Sequence, residues 1–344
     1  MNFSRRLDQK GSMSLLTVIF FALIFTIVTI SFVRLAITEQ RQSVDEDLTT
    51  RAYYAAESGV EDAKRALQQY QSGTLLLADL NGDDCSLPSG YNGDLTNDPE
   101  IDSAYTCQLI DLSPANFQAE LGPWEAVTIP LNGESAFDRV RIDWHIHTTG
   151  ASYGRRTNPS NTQLIDVPAW TSGNFPAMLR AGIFSHPSGN FNPTQVNQDV
   201  LFINPAASTA VASLGDDGEV VNGSCVAPAN INNFAGTYAC TVTISGVSAQ
   251  NFYLRLQSLY TSTFVQVTLL NNNTPVLFEE VQALVDVTGR AGDIFRRVEA
   301  RVSLLSNNYP LPDIALWSNT DICKAFSVTD DPADYDATAC PWQP

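Results

Sequence analysis

Between Leu15 and Val33 the chain has no charged side chain, and fourteen of those nineteen residues are Leu, Ile, Val or Phe. Nothing else in the sequence limits the fold as strongly, because a helical run of that length matches the ~30 Å hydrocarbon core of a bilayer. At roughly −0.3 to −0.6 kcal/mol for each such residue the insertion term is about −4 to −8 kcal/mol, more than the few Thr and Ser offset. A membrane-spanning helix is expected, in preference to the core helix of a water-soluble domain. Arg5, Arg6 and Lys10 precede the span with only Asp8 against them. By the positive-inside rule the N-terminus then stays cytoplasmic and everything after Val33 lies outside. A cleaved secretory signal would have a shorter apolar core ending at a small-residue site, and this run has neither.

The helix is expected to continue well past the membrane. No proline occurs from Ser12 to Gln71. After Arg34 the apolar pattern becomes one-sided: Leu48, Ala52, Ala55, Ala56, Gly59, Val60, Ala63, Leu67 and Tyr70 recur at steps of three and four, the period of a helix with one buried face. Glu57, Glu61, Asp62, Lys64 and Arg65 fill the opposite face, and Gly73 supplies the stop after Ser72. Sixty helical residues extend about 90 Å, about half in the bilayer and half beyond it.

The start R-R-L-D-Q-K-G followed by S-M-S-L-L-T-V-I-F-F resembles the leader of a class III signal peptide, which prepilin peptidase cuts, here between Gly11 and Ser12. The segment A-Y-Y-A-A-E-S-G-V-E-D-A-K-R-A-L, Ala52 to Leu67, is similar to the post-membrane helix of PilX-type minor pilins and K-type minor pseudopilins. The resemblance covers about the first seventy residues. It implies a leader (1–11), a pilin-type helix (12–72, membrane part about 15–33) and an ectodomain (73–344). One departure stands out: most such pilins carry a glutamate at the fifth mature residue, thought to pair with a neighbour's N-terminal amine, and that position is Leu16. K-type pseudopilins share the absence, which the family explains by a place at the filament tip.

Composition bounds the remainder. Residues 1–72 hold eight basic and eight acidic side chains, whereas residues 73–344 hold eleven basic against twenty-nine acidic, so the net charge of −18 resides after the helix. Such a surface repels phosphate backbones, and no nucleic-acid partner is expected. The six cysteines fall in sequence as Cys85 with Cys107, Cys225 with Cys240, and Cys323 with Cys340. Pairing of neighbours is the economical scheme among fifteen connectivities, in keeping with an oxidising compartment. No C-x-x-C motif calls for zinc.

Residues 73–105 are rich in Asp, Asn, Gly and Pro and read as loop. Asp79, Asn81 and Asp83 have the D-x-N-x-D spacing that begins a calcium loop, but Asp84 stands where an EF-hand needs glycine and Gly90 where it needs glutamate. A solvated acidic turn is the simpler reading, so no cofactor is assigned and calcium remains the one candidate. From Cys107 onward the period is two. In Arg139–His147, Val140, Ile142, Trp144 and Ile146 share one face. His145 and His147 share the other at H-x-H spacing; with His186 the only further histidine, polar strand residues are a simpler account than a metal. Residues 150–235 have short apolar runs, Met178–Phe184 and Val200–Ile203, between Asn-Pro turns, and are expected to belong to a β-rich insertion at about 120–245. Tyr238–Ile244, Phe252–Leu259, Phe264–Leu270 and Val276–Thr288 read as strands, and Val285–Val302 as a hairpin about a Gly289–Asp293 turn. T-G-R-A-G-D with R-R-V-E-A resembles the late hairpin of PilX-type proteins, whose meander packs on the emergent half of the helix. The fold class expected is α+β: a long transmembrane and amphipathic helix on an antiparallel β-meander, with a β-rich elaboration.

H-E-x-x-H does not occur, and isolated acidic residues in loops make no paired constellation, so an enzyme is not expected. The resemblance implies a non-enzymatic minor pilin or pseudopilin of a type IV pilus or type II secretion pseudopilus, low in copy or at the tip, with a role in adhesion among the options. Its partners would be other pilin subunits, prepilin peptidase, the inner-membrane assembly platform, and the membrane before assembly. The alternative is a stand-alone single-pass anchored protein with an extracellular binding domain.

Overall fold

The computed structural model describes residues 10–80, 85, 103–146, 153–155, 166–185, 197–207, 211–213, 220–227, 236–247 and 252–304. Its N-terminal element is α1 (Lys10–Gln71), 62 residues without a break. It ends where glycine allows it to: Gly73 has φ +74°, and the N–H groups of Ser72, Gly73 and Thr74 return to the carbonyls of Gln68, Tyr70 and Gln69. A short 3-10 turn, Leu77–Asp79, follows.

The strands are β1 (Ser103–Asp111), β2 (Phe117–Leu121), β3 (Ala126–Pro130), β4 (Arg139–Ile146), β5 (Met178–Ser185), β6 (Asn197–Ala206), β7 (Val211–Ser213), β8 (Val220–Cys225), β9 (Tyr238–Ser245), β10 (Phe252–Leu259), β11 (Thr263–Asn271), β12 (Thr274–Val276), β13 (Gln282–Ala291) and β14 (Ile294–Ser303), with a short helix α2 (Val167–Ser172). The fold is therefore a long apolar N-terminal helix with β-rich structure after it. The strands form two sheets, one of three strands in the order β1-β13-β14 and one of eleven.

The three-stranded sheet is antiparallel throughout and lies against the second half of α1. Its expected form was a meander of consecutive strands. Instead the first strand of the chain pairs with the last hairpin, and the whole second sheet, Phe117 to Val276, is strung between β1 and β13. The strands of this sheet run from Phe117 to Val276, whereas the insertion was expected at about 120–245. The single strand expected over Val276–Thr288 is broken: β12 ends at Val276 and β13 begins at Gln282. Between them the chain crosses from one sheet to the other, with Glu280 at φ +53° and the N–H groups of Phe278, Glu279 and Glu280 bonded to the carbonyls of Pro114, Asn132 and Leu112. The last hairpin turns on Gly292 and Asp293 alone, since Ala291 pairs with Ile294 and Gly289 with Arg296 inside the ladder.

The second sheet runs β12-β11-β4-β9-β8-β6-β5-β10-β3, with β2 also on β11 and β7 also on β9. The pairs β6–β8 and β7–β9 are parallel and the rest antiparallel. Strands β2 and β3, consecutive in the chain and joined by four residues, sit at opposite ends of this order. The sheet must curl until its two ends meet, and a single apolar core fills the curl: Phe117 and Leu121 of β2, Ile129 of β3, Ile142 and Trp144 of β4, Leu254 and Leu256 of β10, and Val265 and Val267 of β11 are all buried together. Trp144 satisfies its ring N–H on the carbonyl of Ala177 at 3.0 Å. Disulfides join Cys85 to Cys107 and Cys225 to Cys240, the latter across the β8–β9 pair. Cys323 and Cys340 lie outside the described residues.

Two local readings are corrected. Ile146 was placed on the buried face of β4, but His145 takes φ +64°, which breaks the alternation and leaves Ile146 exposed. Residues 150–235 also contain a helix: Asp166 caps α2 by accepting from the Ala169 N–H at 3.2 Å, with Pro168 in the first turn. An Asx cap followed by proline is a start signal the sequence does contain.

Candidate functional site

The residues that the sequence singles out most strongly lie on α1, whose two halves meet different surroundings. From Leu16 to Ile37 every large apolar side chain is exposed, Leu16 at 72%. The segment includes an 18-residue window of mean hydropathy 2.7, long and apolar enough to cross a membrane by length and composition. The polar groups within it are satisfied by the helix itself: Thr26, Thr29 and Ser31 donate their hydroxyl protons to the carbonyls of Ala22, Phe25 and Ile27 at 2.7, 2.7 and 2.9 Å. Those three hydroxyl protons then need no water, as a hydrocarbon environment requires. Gly11 and Ser12, between which cleavage is expected, lie in the first helical turns.

The second half is buried on one side. Ala52, Ala55, Ala56, Val60, Ala63, Ala66 and Leu67 are all within 5% of complete burial, and all but Ala66 belong to the face read from the sequence. Ala56, Val60, Ala63, Ala66 and Leu67 pack with Tyr105 of β1 and with Ala283, Val285 and Val287 of β13. Two glycines set how close the helix comes. A Cβ on Gly59 would stand 2.6 Å from a Val287 methyl and 2.8 Å from the Tyr105 ring. One on Gly289 would stand 2.1 Å from the Ala52 carbonyl oxygen and 2.4 Å from the Ala56 nitrogen. Gly289 is thus a close-approach residue in a strand and not part of the turn the sequence had assigned it to.

Polar contacts fasten the same seam along its length. The Tyr105 hydroxyl donates to Asp62 at 2.7 Å, Gln71 donates its amide to the Leu304 carbonyl at 2.6 Å, and Arg296 reaches the Thr49 hydroxyl at 3.3 Å. Tyr70 donates to the Glu280 carboxylate. That hydrogen bond raises the Tyr70 pKa, with burial and the Glu280 and Glu279 charges adding to it. On the outer side of the sheet Arg297 grips Asp286 through Nε at 2.7 Å to both oxygens, which raises the guanidinium pKa. Beneath, Arg301 donates to the Asn116 carbonyl at 2.8 Å and to Gln282 at 3.1 Å, with its pKa lowered by burial. The side of α1 turned away from the sheet is apolar in places, with Val44, Tyr53 and Tyr54 exposed.

The metal candidates do not come together. Asp79 ends the short turn after α1, where its carboxylate accepts from the Leu76 N–H at 3.4 Å; Asn81 and Asp83 lie outside the described residues. His145 has its ring edge-on to Tyr153 at 5.0 Å and borders a cleft of about 250 Å³ with Glu120, Ile146, Ser262, Thr263 and Phe264; His147 and His186 lie outside the described residues. Among the described residues no three His, Cys, Asp or Glu side chains are grouped to hold a metal ion.

A feature the sequence did not reveal lies where the two ends of the curled sheet meet. The β2–β3 and β10–β11 connections run side by side there, and each has an aromatic residue in the left-handed backbone region, Trp124 at φ +67° and Tyr260 at φ +74°. Each costs about 1–2 kcal/mol relative to glycine. Tyr260 stacks on the buried Trp170 of α2 at 4.3 Å and 5°, and Trp170 meets Phe175 at 5.4 Å. Trp124 leans on Tyr260 at 5.8 Å and 50° and remains 54% exposed.

No family model, curated protein or solved structure matches the chain.

Proposed function

We propose that the chain is a minor pilin or pseudopilin, a non-enzymatic subunit of a type IV pilus or a type II secretion pseudopilus, low in copy or at the tip. The observation that carries this reading is the continuity of α1. A naked apolar half passes without a break into a half whose small-residue face is seated on a three-stranded sheet. A plain membrane anchor has no need of a helix rigidly continuous with its domain, whereas a subunit extracted from the bilayer into a filament does. The apolar half then exchanges lipid for the same half of its neighbours, and the exposed Val44, Tyr53 and Tyr54 extend that contact above the membrane. Prepilin peptidase removes residues 1–11, the assembly platform receives the subunit, and the acidic ectodomain faces the oxidising exterior where its disulfides form.

Leu16 sets the position. A subunit within the shaft neutralises its neighbour's N-terminal ammonium with a carboxylate, and a buried ammonium left alone costs several kcal/mol. Leu16 offers no such partner, so the subunit belongs where none is required. Immunogold labelling of sheared filaments tests this: particles at filament ends are expected, and dense labelling along the shaft would refute the tip position. The second reading, a stand-alone anchored binding protein, is favoured by the size of the inserted sheet and its exposed aromatic corner. It predicts an uncut leader and no filament label at all.

A further inference from the structure

We infer that the corner formed by Trp124 and Tyr260 is a binding platform for a pyranose ring of a neutral or weakly anionic glycan. Glycine or asparagine would close either connection with less strain, and strain held with large side chains points to a use for those side chains. For Tyr260 the use is packing, since it completes the stack on Trp170 and the cluster with Met178 and Leu259. Trp124 has no such role, being more than half in water.

Its mount is nevertheless rigid. The Trp124 N–H donates to the Ser258 carbonyl at 2.8 Å and the Ser258 N–H to the Glu125 carbonyl at 3.0 Å. Gln257 donates its side-chain amide to the Trp124 carbonyl at 2.9 Å, and the Glu125 carboxylate accepts from the Gly122 N–H at 2.7 Å. A loop whose backbone is fixed in this way loses little freedom on binding.

The chemistry around it selects the ligand. Beside the exposed indole stand the Gln257 amide and the Glu125 carboxylate, each with one bond to the loop backbone, the turn Thr261-Ser262 that follows Tyr260, and Arg180, opposite Gln257 in the β5–β10 register. A pyranose offers the complement, C–H groups across one face and hydroxyls around its edge. A quaternary ammonium wants several ring faces around one cavity; here Trp170 covers one face of Tyr260 and Trp124 leans on the ring, so no cage is left. Nucleic acid is opposed by the charge of −18 that resides after the helix. The inference is independent of the pilus reading, since a filament subunit and a plain anchored protein would present this corner alike.

The test is saturation-transfer NMR on the full chain in a detergent without a sugar headgroup, using chitohexaose, cellohexaose and maltohexaose as probes. Ring C–H protons of at least one oligosaccharide should receive saturation. Trp124→Asn, which suits the left-handed backbone, should weaken that binding by about tenfold or more, while Trp124→Tyr retains most of it and Phe295→Asn, an exposed aromatic of the other sheet, leaves it unchanged. Arg180→Ala, which leaves the corner backbone untouched, should weaken it several-fold. Absence of transfer from all three probes, or equal transfer to wild type and Trp124→Asn, would overturn the proposal; so would a Trp124→Asn chain that loses only attachment to a protein partner.

Discussion

Adding one methyl group at Gly289 should detach α1 from its sheet. A Cβ there lies 2.1 Å from the Ala52 carbonyl oxygen and 2.4 Å from the Ala56 nitrogen, and both are helix backbone, so no side chain can swing aside. An ordinary contact needs about 3.4 Å, so the helix must retreat by roughly 1 Å over that turn, and a gap of that size forfeits about a quarter to a half of each dispersion contact along the seam. Overpacking of a well-fitted core costs about 1–3 kcal/mol, and with backbone on the receiving side Gly289→Ala belongs near 3 kcal/mol. The small gain in strand propensity for alanine over glycine does not offset it. Hydrogen exchange reads the effect locally: the β13 amides from Val285 to Gly289 should exchange about a hundredfold faster at fixed pH, while β10 and β11, in the other sheet, keep their protection. Gly292→Asn in the adjacent turn, where asparagine tolerates the left-handed φ of +58°, serves as the control and should change little. Protection of β13 in Gly289→Ala within threefold of wild type would show that the close approach of helix and strand is not what holds them together.

Other outcomes follow from single side chains. Gln108 is completely buried on β1 and neither its amide nitrogen nor its oxygen has a partner among the described residues, so Gln108→Met should raise stability to denaturant by about 1–3 kcal/mol, and a loss would mean the amide is satisfied in solution. The Tyr70 pKa is raised in the folded chain, so its contribution is complete below the ordinary tyrosine value of about 10 and is lost as pH rises through the folded value. Alkaline melting should therefore weaken the Tyr70–Glu280 contact, and Tyr70→Phe should remove that part of the pH dependence; an unchanged alkaline limb in Tyr70→Phe would refute it. Replacing both Cys225 and Cys240 by serine opens a loop of 15 residues and should cost about 3 kcal/mol, read as a lowered denaturant midpoint that reductant shifts less than in wild type, since Cys85–Cys107 remains.

What was legible in the sequence was whatever depends on short-range period. The charge-free run and the alanine face of α1 are repeats of one helical geometry, and both survive into the structure with Ala66 as the one buried position not foreseen. The strands Tyr238–Ile244, Phe252–Leu259 and Phe264–Leu270 were readable for the same reason. Gly289 was misassigned because glycine serves turns and close contacts equally, and only the helix lying across β13 decides between them. The break after Val276 was hidden since the residues on both sides are apolar and alternate, while the cause, a crossing between two sheets, involves Pro114 and Asn132 more than 140 positions earlier. The Trp124–Tyr260 corner has no sequence signature: aromatic residues at positive φ break local propensity, and their meeting depends on how an eleven-stranded sheet closes. Strand order, with parallel pairs at β6–β8 and β7–β9, is likewise a long-range outcome that alternation does not encode.

The account's central claim is that α1 begins life behind a leader and is released from it for assembly. Intact-mass and N-terminal peptide analysis of the chain extracted from membranes of cells with active prepilin peptidase tests it most directly. The account predicts a mature protein starting at Ser12, with the Met1–Gly11 segment gone and cleavage abolished by substituting Gly11. Recovery of the chain with Met1–Gly11 still attached in those cells would contradict it and leave a stand-alone anchored protein as the reading of the same helix.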